Sequence, residues 1–485
     1  GIQLLPYRKQ SVVARAAYGY DNRYMLEGSF GATGSENFAS GHRWGIFPAV
    51  GAAWYISHEK FMEPLENILS KLKLRASFGI TGNDEIGSSS RFPYREALST
   101  GGPGYNMGLT PGVNGDVTGA VGAGIIEQDF ATPNLTWERE RKVNVGVDLG
   151  LFRGSIDLIV DWFHNRRNNI LLRRKTIPSA AGFRNSPWQN FGVTTNTGFD
   201  ASLILKKQIG QVFASVRGNL TYAKNRVEEY DEVPQVYQYQ AYTGQSIGQP
   251  FVYVAEGLYT PDDFDIVENA DGSKTYTLKE GMPNPGTQVA PGDIKYKDLN
   301  GDKKIDSLDK TYENGLYPED PRLVYGFGLN IEWKGFFAGV FFQGVGQTSV
   351  NLLSSAGNFM PFHNGVDASS ARMEALDRWQ NNDPYNQNVL FPRVHATKFD
   401  HNAYGSTWWY RNGSFLRLKN VEFGYQFNKQ MLRKISMQNL RIYVQGTNLA
   451  VWDNIEYWDP ELGGSNSGSK YPICGTWTIG LEVTF

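Results

Sequence analysis

The 485 residues carry 47 Lys and Arg against 49 Asp and Glu, with the two signs interspersed. A chain without a basic footprint is not built to hold nucleic acid, and a single cysteine, Cys474, excludes an intrachain disulfide framework and a cysteine-built zinc site. No apolar run reaches the roughly 18 residues that a membrane-spanning helix needs, which leaves open strands that turn only every second residue toward lipid.

Apolar and polar residues alternate along most of the chain. The alternation predicts strands over 11–20, 24–37 and 43–57, then in KLKLRASFGIT (71–81), where Leu72, Leu74, Ala76, Phe78 and Ile80 oppose Lys73, Arg75, Ser77 and Thr81. RKVNVGVDLGL (141–151) sets Val143, Val145, Val147, Leu149 and Leu151 against Lys142, Asn144, Gly146 and Asp148. Further strands follow at 155–172, 193–207 and 211–229. In LVYGFGLNIEW (323–333) the face of Leu323, Tyr325, Phe327, Leu329, Ile331 and Trp333 opposes Gly326, Gly328, Asn330 and Glu332. Strands at 335–350, 414–428 and 440–452 precede the last, TWTIGLEVTF (476–485), whose apolar face ends on Phe485.

That makes about thirteen strands of about ten residues or more, the length that crosses a bilayer when tilted. Strands of a soluble sandwich average about 5–6 residues. Aromatic-rich apolar faces opposite Gly, Asn, Ser, Thr and charge predict an all-β fold, a transmembrane antiparallel β-barrel with lipid outside and a wet or plugged lumen. Links at Asp21-Asn22-Arg23, 151–154, 207–210 and Lys334-Gly335 are short, and two longer ones, 58–70 and 428–440, have helical spacing. The opposite links are long: 85–135, 173–192, 230–321, 351–413 and 453–472. Short turns on one side and long loops on the other are the asymmetry of outer-membrane barrels. An odd strand number with a bare edge near Ser11 cannot close in hydrocarbon, so the expectation is the C-terminal part of a larger barrel.

The sharpest local motif is DLNGDKKIDSLD, 298–309. Calcium loops place oxygen ligands at positions 1, 3, 5, 7, 9 and 12, which here are Asp298, Asn300, Asp302, the Lys304 carbonyl, Asp306 and Asp309. Ile305 supplies an apolar anchor at position 8; Lys303 replaces the usual Gly at position 6, and Asp309 the usual Glu at position 12. Carboxylates this close repel one another without a cation, so the spacing predicts one structural Ca²⁺ pinning an extracellular loop. A solvated acidic hairpin is the alternative.

Aromatics crowd the predicted loops, Trp408-Trp409-Tyr410 most densely, and could stack on a ligand or pack an interface. Six histidines without metal-ligand spacing, and no nucleophile elbow or phosphate loop, argue against an enzyme.

The stretch YDNRYMLEGSFGATGSENFASGHRWGIFPAVGAAWYISHEKF (20–61) resembles a hallmark of SusC/RagA-type TonB-dependent transporters of Bacteroidetes outer membranes. LKLRASFGITGND (72–84), NLTWERERKVNVGVDLGLF (134–152), NGSFLRLKNVEFGYQF (412–427) and LRIYVQGTNLAVWDNIEYWDPE (440–461) are similar to further stretches, in the same order. The resemblance implies a plugged 22-stranded barrel of which this chain is the later part, with the plug domain, TonB box and first strands having no counterpart here. It also implies a SusD-like surface lipoprotein lid meeting loops 85–135, 230–321 and 351–413, and import driven through TonB. The terminal strand ending in an aromatic resembles the C-terminal signal that such barrels offer to their assembly machinery. The expected cargo is an oligosaccharide; an oligopeptide, or a passive porin of a different class, is the alternative.

Overall fold

The computed structural model describes residues 8–85, 92–102, 124–353, 359–428, 431–432, 437–464 and 468–484. Thirteen strands form one sheet, hydrogen-bonded in the order in which they occur along the chain. They are β1 (Lys9–Tyr20), β2 (Tyr24–Ser35), β3 (Trp44–Tyr55), β4 (Leu69–Asn83), β5 (Glu138–Leu151), β6 (Ile156–Arg173) and β7 (Trp188–Ile209). The series continues with β8 (Val212–Glu229), β9 (Leu323–Trp333), β10 (Phe336–Gly346), β11 (Phe415–Gln426), β12 (Asn439–Trp452) and β13 (Thr476–Thr484). Each strand falls where the alternation places one. Among the described residues the loops add five small two-stranded sheets that alternation does not announce; one of them, Ala97–Gly102 with Gly124–Asp129, lies inside the predicted 85–135 loop.

The short links are hairpins of the kind that right-twisted strands require. Asp21 and Asn22 both have positive φ (51° and 50°), and Arg23 N–H donates to the Tyr20 carbonyl at 3.0 Å, a type I′ turn. Lys334 and Gly335 repeat it at φ 48° and 89°, between the paired Trp333 and Phe336. The 58–70 link is helical as its spacing predicts, but in 3₁₀ form, Ile56–His58 and Lys60–Leu65. Residues 429–430 and 433–436 of the 428–440 link, and Phe485, lie outside the described residues.

The chain divides into two compact units, Gly1–Gly154 with Leu158–Phe199 and Lys224–Pro234, and Ser155–Asp157 with Asp200–Ala223 and Gln235–Phe485. Within the first unit burial is inverted relative to a soluble protein. Phe78, Val145 and Val147 on the apolar face are exposed, whereas Asp148 on the polar face is buried. Arg75 Nε donates to Asp148 at 2.8 Å, and the same guanidinium reaches Asp161 at 2.9 Å. Lys71 adds a second cation to Asp148 at 3.3 Å. The network fits because Gly146, paired with Arg75, leaves room for it.

The second unit shows the same inversion. Trp477, Ile479 and Leu481 are 65–80% exposed, and Phe423 and Ile442 continue their face. Phe327 stacks on its cross-strand partner Phe342 at 5.1 Å. On the opposite face Arg441 lies between the rings of Phe337 and Tyr443, at 4.3 and 4.9 Å, and pairs with Glu422. Apolar residues facing out and ion pairs facing in are the arrangement a bilayer selects.

A side chain at position 146 would meet the Asp161 carboxylate and the Arg75 guanidinium. Gly146→Val is therefore expected to cost about 1–3 kcal/mol, as overpacking does. The check is the temperature at which the intact, detergent-solubilised protein loses its folded gel mobility, which should fall relative to wild type.

Candidate functional site

The long loops of the second unit fold into a body with its own core. Tyr253, Leu258, Ile294, Tyr296 and Ile305 from 230–321 meet Leu352, Phe359, Trp379, Leu390, Phe391 and Trp409 from the next loop, and Ile455 from the one after. All are at least nine-tenths buried. Gly292, at φ +92°, has no room for a Cβ because the Trp379 indole lies against it. The crowding of aromatics read from the sequence is thus, in good part, the core of this body.

At the centre sits Asp293, fully buried. Its carboxylate accepts from Asn402 Nδ2 at 3.0 Å and Ala290 N at 2.9 Å, and lies 2.6 Å from His395 Nε2 and 3.9 Å from the Arg393 guanidinium. The Asn402 side-chain Oδ1 accepts from Ile294 N, and the Tyr296 hydroxyl donates to the His401 backbone carbonyl. His401 Nε2 lies 2.8 Å from the Ile294 carbonyl and must donate to it, so in the neutral ring Nδ1 carries the lone pair; that atom is buried and has no hydrogen-bond partner among the described residues. Segment 289–297 is in this way zipped to 391–403. Sequence reasoning missed the cluster, whose members lie about a hundred positions apart without a spacing motif.

The predicted calcium loop is a chain of side-chain-capped turns. Asp298 accepts from Gly301 and Lys303 N–H, Asn300 from Asp302, Asp302 from Lys304, and Asp306 from Leu308, at 2.7–3.0 Å. Lys303 takes a positive φ of 60°, the left-handed geometry for which calcium loops keep a glycine at position 6. Ile305 is buried in the loop core, as the position-8 anchor requires. Asp309 is fully buried; it accepts from Leu299 and Asp306 N–H, and burial pushes its carboxyl upward against those bonds. Among the described residues no three His, Cys, Asp or Glu side chains come together to hold a metal. The turn and the anchor fit a calcium loop; the carboxylates are turned to backbone N–H groups.

The aromatic trio is split in its environment. Trp409 has no exposed surface and donates from Nε1 to the Asn402 carbonyl at 3.0 Å. Trp408 packs part-buried on the core and donates to the Leu390 carbonyl, while Tyr410 pairs with Asn351 at the edge of the body. Only Trp408 and Tyr410 present surface. In this conformation Trp409 serves packing.

Residues 8–449 match the family model described as TonB dependent receptor-like, beta-barrel. TonB-dependent receptor P3 of Formosa agariphila is 26% identical over 98% of this chain and 45% of its own length. TonB-dependent receptor SusC of Bacteroides thetaiotaomicron is 24% identical over 98% of this chain and 43% of its own length. The chain thus spans about half the length of the relatives it matches. A solved structure of the RagAB peptide transporter superposes with a TM-score of 0.70 at 21% identity, covering 99% of this chain and 48% of that one.

Burial lowers the pKa of His401, opposed by its Ile294 bond and by Asp293 and reinforced by His395. A histidine held neutral contributes stability that is complete above its unfolded value of 6.5 and is lost as pH falls through the folded value. Hydrogen-exchange protection of 289–297 and 391–403, with the intrinsic pH dependence of exchange divided out, should therefore fall together below pH 6.5. His401→Gln, which keeps a donor for the Ile294 carbonyl but cannot titrate in this range, should flatten the profile.

Proposed function

Because the chain belongs to the TonB-dependent receptor-like β-barrel family, we propose that it is the later part of the wall of a SusC-like importer that takes up an oligosaccharide across the outer membrane. The observation that carries this reading is the inversion of burial together with a folded loop body. Apolar side chains face lipid, an ion-paired face lines the interior, and the long loops bury a core of their own. No catalytic constellation is part of the reading. The plug, the segment that contacts TonB and the other strands of a 22-stranded wall are assigned to the portion of the relatives outside the match. A separately encoded SusD-like lipoprotein is the proposed lid, resting on loops 85–135, 230–321 and 351–413.

The test is extraction of the natively expressed, full-length protein in mild detergent, with every band and bound small molecule identified by mass spectrometry. A lipoprotein partner and a bound glycan are the expected result. Bound peptide would replace the oligosaccharide by an oligopeptide. A barrel recovered alone, with uptake indifferent to TonB, would return the passive porin.

Calcium in the loop 298–309 is part of the same proposal. The ligands would be Asp298, Asn300, Asp302, the Lys304 carbonyl, Asp306 and Asp309. The left-handed turn at Lys303 and the buried Asp309 support it. Elemental analysis should return about one Ca²⁺ per chain, and Asp302→Ala should abolish it while the strands still fold. A metal-free protein whose loop protection is unchanged by added calcium would leave the acidic hairpin as the better description.

A further inference from the structure

The outward face of the first unit carries an arginine row at the long-loop end of its apolar belt. On β5 the belt runs from Leu151 to Val143 along alternate residues. At about 3.3 Å per residue and a tilt of about 40°, those nine residues span about 20 Å of height. That is close to the roughly 25 Å apolar band of outer-membrane barrels. The next two outward residues are Arg141 and Arg139, both exposed, and neither has an ion-pair partner among the described residues.

The neighbouring strand matches them. On the inner face Gly146 lies against Asp161, and Glu140 lies 3.7 Å from Arg167. Both contacts obey one antiparallel register, and that register sets Arg141 directly opposite Arg166 on the outer face. Below Arg166, Trp162 is exposed at the position of an interfacial aromatic, with His164 stacked on it. His164 contacts Thr197 at 2.7 Å, which by the same counting puts Thr195 beside Arg166. Thr195 donates to Glu228, whose other neighbour is Arg226 at 3.8 Å. Four arginines thus face two glutamates, Glu228 and Glu229, the latter 4.0 Å from Arg166.

Like charges directly opposite on a sheet repel, and arginine geometry matches a phosphate with paired donors. We propose that Arg141 and Arg166, flanked by Arg139 and Arg226, bind the phosphate of a headgroup in the outer leaflet, seated just above the apolar belt.

The intact transporter, exchanged into phosphatidylcholine nanodiscs containing diphosphorylated lipid A or the same lipid stripped of phosphate, tests this. The phosphorylated lipid should be enriched around the wild type. Arg141→Gln with Arg166→Gln should reduce the enrichment at least about fivefold, the effect of roughly 1 kcal/mol per basic residue near a charged surface. Folded gel mobility checks the variant. Should it misfold, Arg141→Lys with Arg166→Lys keeps the charge and is expected to bind less than wild type, for want of paired donors. Equal enrichment of the stripped lipid, or unchanged enrichment in the variants, would overturn the proposal. So would displacement by millimolar inorganic phosphate, which would make this a site for free anions.

Discussion

Hydrocarbon offers a peptide group nothing to bond to, and each unpaired N–H or C=O there costs several kcal/mol. Everything in the sheet follows from that constraint. Strands are long because they must carry their pairing across the apolar layer. They alternate because one face meets lipid and the other does not. Charges collect on the inner face, and because they are half-buried they must be paired: Arg75 with Asp148 and Asp161, Arg441 with Glu422. The small residues opposite serve the pairing, as Gly146 does for Arg75 and Gly480 for the ring of Tyr443.

The loops face the opposite problem. Beyond the membrane, an ordered segment of some ninety residues, such as 230–321, must offset its conformational entropy, about 1–2 kcal/mol per residue for the backbone alone. Lipid contributes nothing to that. The loops answer as a soluble domain does, with a core that runs from Tyr253 through Ile294 and Phe391 to Ile455 and a buried polar knot at Asp293. A carboxylate so deep is held by directional bonds from both segments, and leaving such a group unpaired is costly. The knot therefore specifies how the two segments meet, where apolar packing alone would allow them to slide.

This difference explains what could be read from the sequence. The strands of the sheet were legible because the membrane imposes a period of two, and the hairpins because Asp21-Asn22 and Lys334-Gly335 are residues that accept positive φ. In the 298–309 loop Ile305 is buried in the loop core, as its apolar character suggested. The loop core was not, since Asp293 and Asn402 share no periodicity and meet only in three dimensions. Trp409 looks like a ligand platform in sequence because density of aromatics is the same signal whether rings bind or pack. Its burial assigns it to packing. The facing of Arg141 by Arg166 escaped for a third reason, that it depends on register, which alternation alone does not set.

How the loop body meets the strands of its own unit has a consequence for binding. Arg417 on β11 is almost fully buried, and holds Asp459 at 2.5 Å and Glu461 at 3.1 Å, both from the loop after β12. Lys419 reinforces Glu461 from the same strand at 3.5 Å, and Asn351 continues β10 outward to pair with Tyr410. The body is thus tied to its strands by a buried ion network and a short ladder as well as by the chain itself. A surface held this way is ordered before any ligand or partner arrives. Binding energy at such a surface need not go into ordering it, which for flexible loops costs about 0.5–1.5 kcal/mol per immobilised side chain. In the importer proposed above, such pre-organisation would let long loops capture a dilute ligand without first being ordered by it.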